Sequence, residues 1–234
     1  MYLKRIIVSG LTVCLLAAGS PVFADENNNV VVSSNVEGNI QTIDLQNGFE
    51  NLPEEVVVSE VLTFDELVTV LAKEKGITED EASNIIMNNS ITSSRSAESK
   101  ITAAQSATYR TIKQYLYGIP GYSPSLEFYC QTSEGGSARG IVKILNTDLN
   151  TLSWDANIQG YITKTYVGTV YVNLENANKI HYIVNGKFYH TGGVKTVTGN
   201  VGLSIGGTLT LGISATADEK NLFYTVYWPG DVKF

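Results

Sequence analysis

The sequence predicts a mainly β protein, with an antiparallel β-sandwich or small barrel in its C-terminal part and a short αα-hairpin before it. From residue 108 to 234, short segments that alternate apolar and polar side chains recur between turn signals, and no helical period lies among them. Between 62 and 89, two helix-start signals precede apolar residues spaced three and four apart.

Residues 1–24 are typical of a secretory signal peptide. Two basic residues precede an apolar run over 6–18 that is too short to span a bilayer. Small residues, Val22 and Ala24, occupy the minus-three and minus-one positions before the expected cleavage site. We therefore expect export, cleavage after Ala24 and an extracellular protein. Cys130 is then the only cysteine, which predicts no internal disulfide and favours a bacterial source. Its place in an apolar strand predicts a small buried side chain rather than a reactive thiol.

Charge is divided unequally along the chain. Residues 25–92 carry fourteen acidic and two basic residues, a net charge of −12, whereas residues 93–234 carry nine acidic and twelve basic residues, a net charge of +3. The stretch from 25 to 60 is acidic and rich in Asn, which predicts little order apart from strands at 30–32 and 56–58. The two halves of the chain are therefore expected to be physically different parts.

The acidic N-terminal region, 25–89, ends in a predicted helical hairpin over 62–89. Two Thr-x-x-Glu capping boxes, with a glycine between them that can end the first helix, predict helices over 64–75 and 79–88. The capping boxes are Thr63 with Glu66 and Thr78 with Glu81, and the glycine is Gly76. Fewer than thirty residues cannot close a core alone, so this hairpin must dock on another part of the protein or on a partner.

Residues 90–107 have the composition of a linker, because twelve of the eighteen are Ser, Ala or Thr. Arg95 and Lys100 within it offer cleavage sites to trypsin-like proteases. Two hypotheses stay open. Either region 25–89 is a pro-region that is removed from the β-domain 108–234, or it is a permanent part of the protein.

The dipeptide Asn185-Gly186 predicts a β-hairpin with a two-residue turn. That register places His181 opposite His190 on adjacent strands, with Cβ atoms ~5 Å apart. Two imidazoles in this position could bind a divalent metal ion, although no third ligand lies nearby in the sequence. The alternative is ordinary cross-strand packing of the two rings.

An uncharged stretch, 196–217, predicts the next hairpin. A three-residue loop over 205–207 would pair Leu203 with Leu209, giving one apolar face and one face of Ser, Thr, Asn and Gly. The apolar side chains are Val201, Leu203, Leu209, Leu211 and Ile213. This pattern is typical of a half-buried core hairpin, and it also resembles the stem hairpins of secreted β-pore-forming toxins. The resemblance implies a membrane-active hairpin.

Tyrosines are candidate binding residues in the β-domain. Tyr161 and Tyr171 fall on one predicted strand face, and the proposed hairpin register pairs Tyr182 with Tyr189. Exposed aromatic rings on a sheet can stack on sugar rings or lie at a membrane interface. The alternative is that these tyrosines are half-buried residues of the sandwich.

The sequence carries no motif for a nucleophilic triad, a zinc protease or a phosphate-binding loop, so we expect no enzyme and no cofactor. The carboxylates of Glu127, Asp155 and Glu175 leave a secreted hydrolase as the third hypothesis. Nucleic acid is not an expected partner, because the exported chain is acidic, with a pI near 4.9.

These observations favour a secreted bacterial effector without catalytic activity that acts at a cell surface or membrane. An antimicrobial, toxin-like or bacteriocin role is the first hypothesis, with the acidic region keeping the β-domain inactive until the linker is cut. The second is an extracellular adhesion or carbohydrate-binding module. The expected partners are the bacterial cell envelope or membrane, or a surface glycan, and oligomerisation is compatible with either.

Overall fold

The computed structural model describes residues 41–46, 52–90, 102–135, 139–155, 158–190, 196–214 and 218–234. It is mainly β, with 58% of the described residues in strands and 19% in helices, and its two large sheets pack as a sandwich without closing into a barrel in this part of the chain. The predicted fold class is confirmed. The expected cleavage positions Ala24, Arg95 and Lys100, and the predicted strand at 30–32, lie outside the described residues.

Two helices form the predicted hairpin, α1 at Phe64–Lys75 and α2 at Glu79–Ser90. The side-chain oxygen of Thr63 accepts a hydrogen bond from the backbone N–H of Glu66, and the Glu66 carboxylate accepts one in return from the backbone N–H of Thr63. Gly76 ends α1 in the left-handed conformation, with φ of 65°. The capping box and the left-handed glycine therefore set the start and the end of α1, as predicted.

The described residues also form twelve strands. They are β1 Gln41–Asp44, β2 Val56–Val58, β3 Thr108–Tyr115, β4 Ser125–Ser133, β5 Gly140–Asn150, β6 Leu152–Asp155, β7 Gly160–Thr163, β8 Thr165–Asn176, β9 Lys179–Tyr189, β10 Thr196–Ser204, β11 Gly207–Ile213 and β12 Leu222–Lys233. One five-stranded sheet has the order β10-β5-β4-β3-β2, and the other has the order β1-β12-β9-β8-β11. Strands β6 and β7 form a separate two-stranded hairpin.

Two apolar cores divide the protein into three layers. The larger core lies between the two sheets and contains closely packed aromatic rings, such as Phe128 against Tyr182 and Tyr166 against Phe188. The smaller core lies between the helices and the outer face of the β10-β5-β4-β3-β2 sheet, which we call the helix-covered sheet. The β1-β12-β9-β8-β11 sheet is called the opposite sheet.

The acidic N-terminal region takes part in every layer. Strand β1 pairs in parallel with β12 at one edge of the opposite sheet, and β2 pairs with β3 at one edge of the helix-covered sheet. Leu67, Leu71 and Ile86 of the helices are fully buried against the sheet. The hairpin therefore docks on the β-domain. The sequence alone did not decide between docking on the β-domain and docking on an external partner.

The hairpin predicted at Asn185-Gly186 is absent, because these residues lie in the middle of the continuous strand β9. Gly186 pairs with Gly168 of β8, and a Cβ atom at Gly186 would lie 2.8 Å from Cζ of Tyr166. The Tyr166 side chain thus occupies the space that side chains at positions 168 and 186 would need. An eleven-residue strand bonded on both sides outweighs the local preference of Asn-Gly for a turn.

The pairing predicted for the second hairpin is also wrong. Strand β10 pairs with β5 in the helix-covered sheet, whereas β11 pairs with β8 in the opposite sheet. The turn at Ile205-Gly206 carries the chain from one sheet to the other. Leu203 is consequently in register with Ile144 and Leu209 with Val172, so the two leucines are not cross-strand partners.

Candidate functional site

The main candidate site is the uncharged segment 196–213, here called the edge segment. It consists of β10, the Ile205-Gly206 turn and β11, and each strand lies at the edge of its sheet. Each strand of the segment is therefore bonded to its sheet through one ladder only, β10 to β5 and β11 to β8. A strand in this position can leave a sheet without separating any other pair of strands.

The edge segment is amphipathic. In β11 the side chains of Leu209, Leu211 and Ile213 are half-buried against the core between the sheets, whereas Thr208 and Thr210 are exposed. Leu203 of β10 is buried in the same core. Val201 lies in a bulge of β10, and its side chain is outside the described part of the structure. The segment therefore closes the sandwich on this side with apolar side chains that carry no charge.

A glycine allows this closure. A Cβ atom on Gly199 of β10 would lie 2.1 Å from a methyl carbon of Leu211 on β11. The leucine side chain thus packs directly on the glycine backbone, and any larger residue at Gly199 would displace it. Gly212, on the outward face of β11, has no atom within 4 Å of the corresponding position.

Helix α2 packs across β5 and β10 and so covers part of the edge segment. The Nδ2 atom of Asn89 donates a hydrogen bond to the carbonyl oxygen of Leu145 in β5, at 2.9 Å. A Cβ atom on Gly202 of β10 would lie 3.4 Å from the backbone oxygen of Asn89. The C-terminal end of the acidic region is therefore in contact with the segment.

Polar groups fix α1 to the helix-covered sheet. The Lys75 ammonium lies 2.8 Å from a carboxylate oxygen of Asp148, and the side chains are only 6% and 2% exposed. The hydroxyl of Tyr129 donates a hydrogen bond to the carboxylate of Glu74. Burial raises the pKa of Glu74, and the hydrogen bond from Tyr129 opposes this shift. The covering helices are therefore held by buried polar contacts as well as by apolar packing.

A second candidate site is the β6–β7 hairpin, here called the aromatic hairpin. Trp154 of β6 and Tyr161 of β7 are register partners, and their rings meet edge to face with centroids 5.2 Å apart. Ile158 lies near them in the chain, and all three side chains are largely exposed, at 53% for Trp154, 62% for Ile158 and 69% for Tyr161. Trp154 was not among the residues predicted from the sequence, although its position and that of Tyr161 on either side of one turn could have indicated the pair.

The four predicted tyrosines do not form one platform. Tyr161 lies on the aromatic hairpin, whereas Tyr171 is half-buried in the opposite sheet with its ring 6.0 Å from that of His181. Tyr182 and Tyr189 are buried, at 1% and 4% exposed. The prediction that these last two bind a ligand at the surface is corrected, because neither side chain is accessible.

The two histidines do not face each other. His181 is in register with Asn173 and Asp231, and its Nδ1 atom lies 2.8 Å from the Asp231 carboxylate. His190 lies nine residues further along an extended chain, about 30 Å away. Burial and the nearby Lys164 ammonium lower the pKa of His190. The prediction of a metal site shared by the two histidines is therefore corrected. The described residues contain no group of three or more His, Cys, Asp or Glu side chains that could hold a metal ion.

The three candidate catalytic carboxylates lie on three different sheets. Glu127 is buried in β4 beside Lys113, Asp155 is on the aromatic hairpin, and Glu175 of β8 pairs with Lys179. The structure does not bring them together as an acid and base pair would require. Cys130 is fully buried, and burial raises the pKa of its thiol, so the prediction of a small buried side chain is confirmed.

No family model, no curated protein and no solved structure matches the chain. Within the residues that the structure describes, neither helix is long and apolar enough to cross a membrane.

Proposed function

We propose that the protein is a secreted, non-catalytic effector that permeabilises bacterial membranes, with an antimicrobial or toxin-like role. The edge segment is the part that enters the bilayer. The observation that carries this proposal is the position of one uncharged, amphipathic segment at the edges of both sheets, where each of its strands is held by a single ladder.

The composition of the segment suits a lipid environment. A charged residue at the bilayer centre costs about 2.5 to 3.5 kcal/mol, and residues 196–217 contain none. The stretch offers nine residues before the Ile205-Gly206 turn and eleven after it, close to the roughly 9 to 11 that an extended strand needs to cross the hydrocarbon. Because backbone groups in lipid need hydrogen-bond partners, insertion requires pairing with other copies of the segment.

The acidic N-terminal region is the inhibitor in this proposal. Its helix α2 covers β10, and its net charge of −12, counted over 25–92, opposes approach to anionic lipids. Cleavage at Arg95 or Lys100 would leave the region attached through β1, β2 and the helices. Activation therefore takes two steps, cleavage of the linker and displacement of the region at the membrane.

A reversible disulfide staple tests the proposal. Thr169 of β8 and Gly212 of β11 are exposed register partners, so the variant T169C/G212C can close a disulfide that keeps β11 in its sheet. K187C/T225C, which joins β9 to β12, is the matched control. The buried thiol of Cys130 does not interfere.

The assay is dye release from phosphatidylglycerol vesicles by the chain cleaved in its linker. We expect oxidised T169C/G212C to be inactive and to regain activity on reduction, whereas the control is active in both states. Equal release by the two oxidised variants would show that the edge segment does not leave its sheet. If neither the intact nor the cleaved wild-type chain releases dye, the proposed function is wrong.

A further inference from the structure

We infer that the aromatic hairpin is the site that first contacts the membrane, with Trp154, Ile158 and Tyr161 placed between the lipid headgroups and the acyl chains. This inference rests on the proposed function, because it assigns the bilayer contact of the same protein to a second site. The edge segment enters the membrane, and the aromatic hairpin binds the protein to it beforehand.

Exposure of these side chains is the first argument. Three large apolar residues within eight positions are each more than half exposed. The described residues of the hairpin include one charged side chain, Asp155. Leaving this much apolar surface in water is unfavourable, and an exposed apolar cluster marks an interaction site.

Hydrogen bonds also join the base of the hairpin to the sandwich. The backbone N–H of Ser123 donates to the hydroxyl oxygen of Ser153 at 2.9 Å, and the Tyr122 hydroxyl donates to the carbonyl oxygen of Thr151 at 2.7 Å. The hydroxyls of Thr151 and Thr163 lie 3.1 Å apart. A site whose supports are fixed loses little conformational entropy when it binds.

The chemistry of the three residues favours a bilayer over a sugar. Trp and Tyr concentrate at membrane interfaces, where an apolar ring and a polar edge are both accommodated, and an aliphatic side chain such as Ile158 gains by entering hydrocarbon. The two rings meet at an interplanar angle of 77°, so they do not form the flat platform on which a sugar chain would stack. Two strands that form their own small sheet present the Trp154 and Tyr161 rings outside the two large sheets, and Ile158 lies in the turn that joins these strands.

Tryptophan fluorescence tests the inference. The chain has two tryptophans, so the W228F variant, cleaved in its linker as in the dye-release assay, reports on Trp154 alone. With phosphatidylglycerol vesicles we expect a blue shift of its emission and quenching by lipids that carry bromine on the upper part of the acyl chain. W154A should bind vesicles about tenfold more weakly, equivalent to about 1.4 kcal/mol. The control Y227A removes another exposed ring, from the opposite sheet, and should bind as the wild type does.

The outcomes separate this inference from the proposed function. Unchanged Trp154 emission on vesicles that the protein still permeabilises would overturn the inference and leave the function intact. A shift with soluble peptidoglycan fragments, and none with vesicles, would overturn it in favour of a glycan site. Binding to vesicles through Trp154 without dye release would support the contact site and contradict the function of the edge segment.

Discussion

Replacing Lys75 with Met tests whether the helical hairpin is held by its buried ion pair. The substitution keeps an unbranched side chain, shorter by one atom, and removes the ammonium that lies 2.8 Å from the Asp148 carboxylate. That carboxylate is 2% exposed, so water cannot take the place of the cation. Removing one partner of such a pair costs about 3 to 5 kcal/mol. With a urea m value of about 2 to 3 kcal/mol per molar, the midpoint should fall by roughly 1 to 2.5 M.

The assay is urea unfolding followed by circular dichroism, with K187M as the matched control. Lys187 pairs with Glu219 at 3.1 Å, but both side chains are exposed, at 42% and 70%, so its loss should change stability little. K75M/D148N should recover much of the loss, because it leaves no buried charge in the pair. If K75M and K187M unfold at the same urea concentration, the buried ion pair does not stabilise the protein.

Two further predictions concern single contacts. Gly199→Ala should destabilise the protein by about 1 kcal/mol, at the low end of overpacking costs, because its Cβ atom would lie 2.1 Å from a methyl carbon of the half-buried Leu211, which has to move. Gly212→Ala should change stability little, and equal urea midpoints would refute this packing. Burial raises the pKa of Glu134, but hydrogen bonds from Arg110 outweigh this and hold the pKa below its usual range. The ionised Glu134 carboxylate therefore stabilises the folded protein fully above the unfolded pKa of about 4.3, and this stabilisation is lost as the pH falls through the lowered folded value. E134Q should consequently destabilise the protein at pH 7 and progressively less towards about pH 3.

The elements that were predicted correctly are specified by groups close together in the chain. Helix α1 begins and ends where its capping box and Gly76 place it, and the strand at Val56–Val58 follows from three consecutive β-branched residues. Short-range signals of this kind do not depend on the rest of the fold. The sequence was therefore sufficient for the class of fold and for the helical hairpin.

Strand pairing depended on contacts that are distant in the sequence. Nothing local to Asn185-Gly186 indicates that Tyr166 covers Gly186 and Gly168, a contact across two strands. The apolar alternation in β11 correctly identified the inward side chains of this strand, but alternation is the same whether β10 or β8 is the partner. The edge position of the segment, on which its proposed function depends, could be seen only in the structure.

The two strands of the edge segment are held unequally, and this difference links the stability of the hairpin to the proposed activity. Strand β11 is held by its ladder to β8, whereas β10 is held by its ladder to β5 and is also covered by α2. Because Lys75 fixes the helices to the sheet, K75M should increase dye release by the uncut chain as well as lower its stability. K187M should change neither. If K75M lowers stability but leaves dye release by the uncut chain unchanged, then the helical hairpin supports the fold without restraining β10.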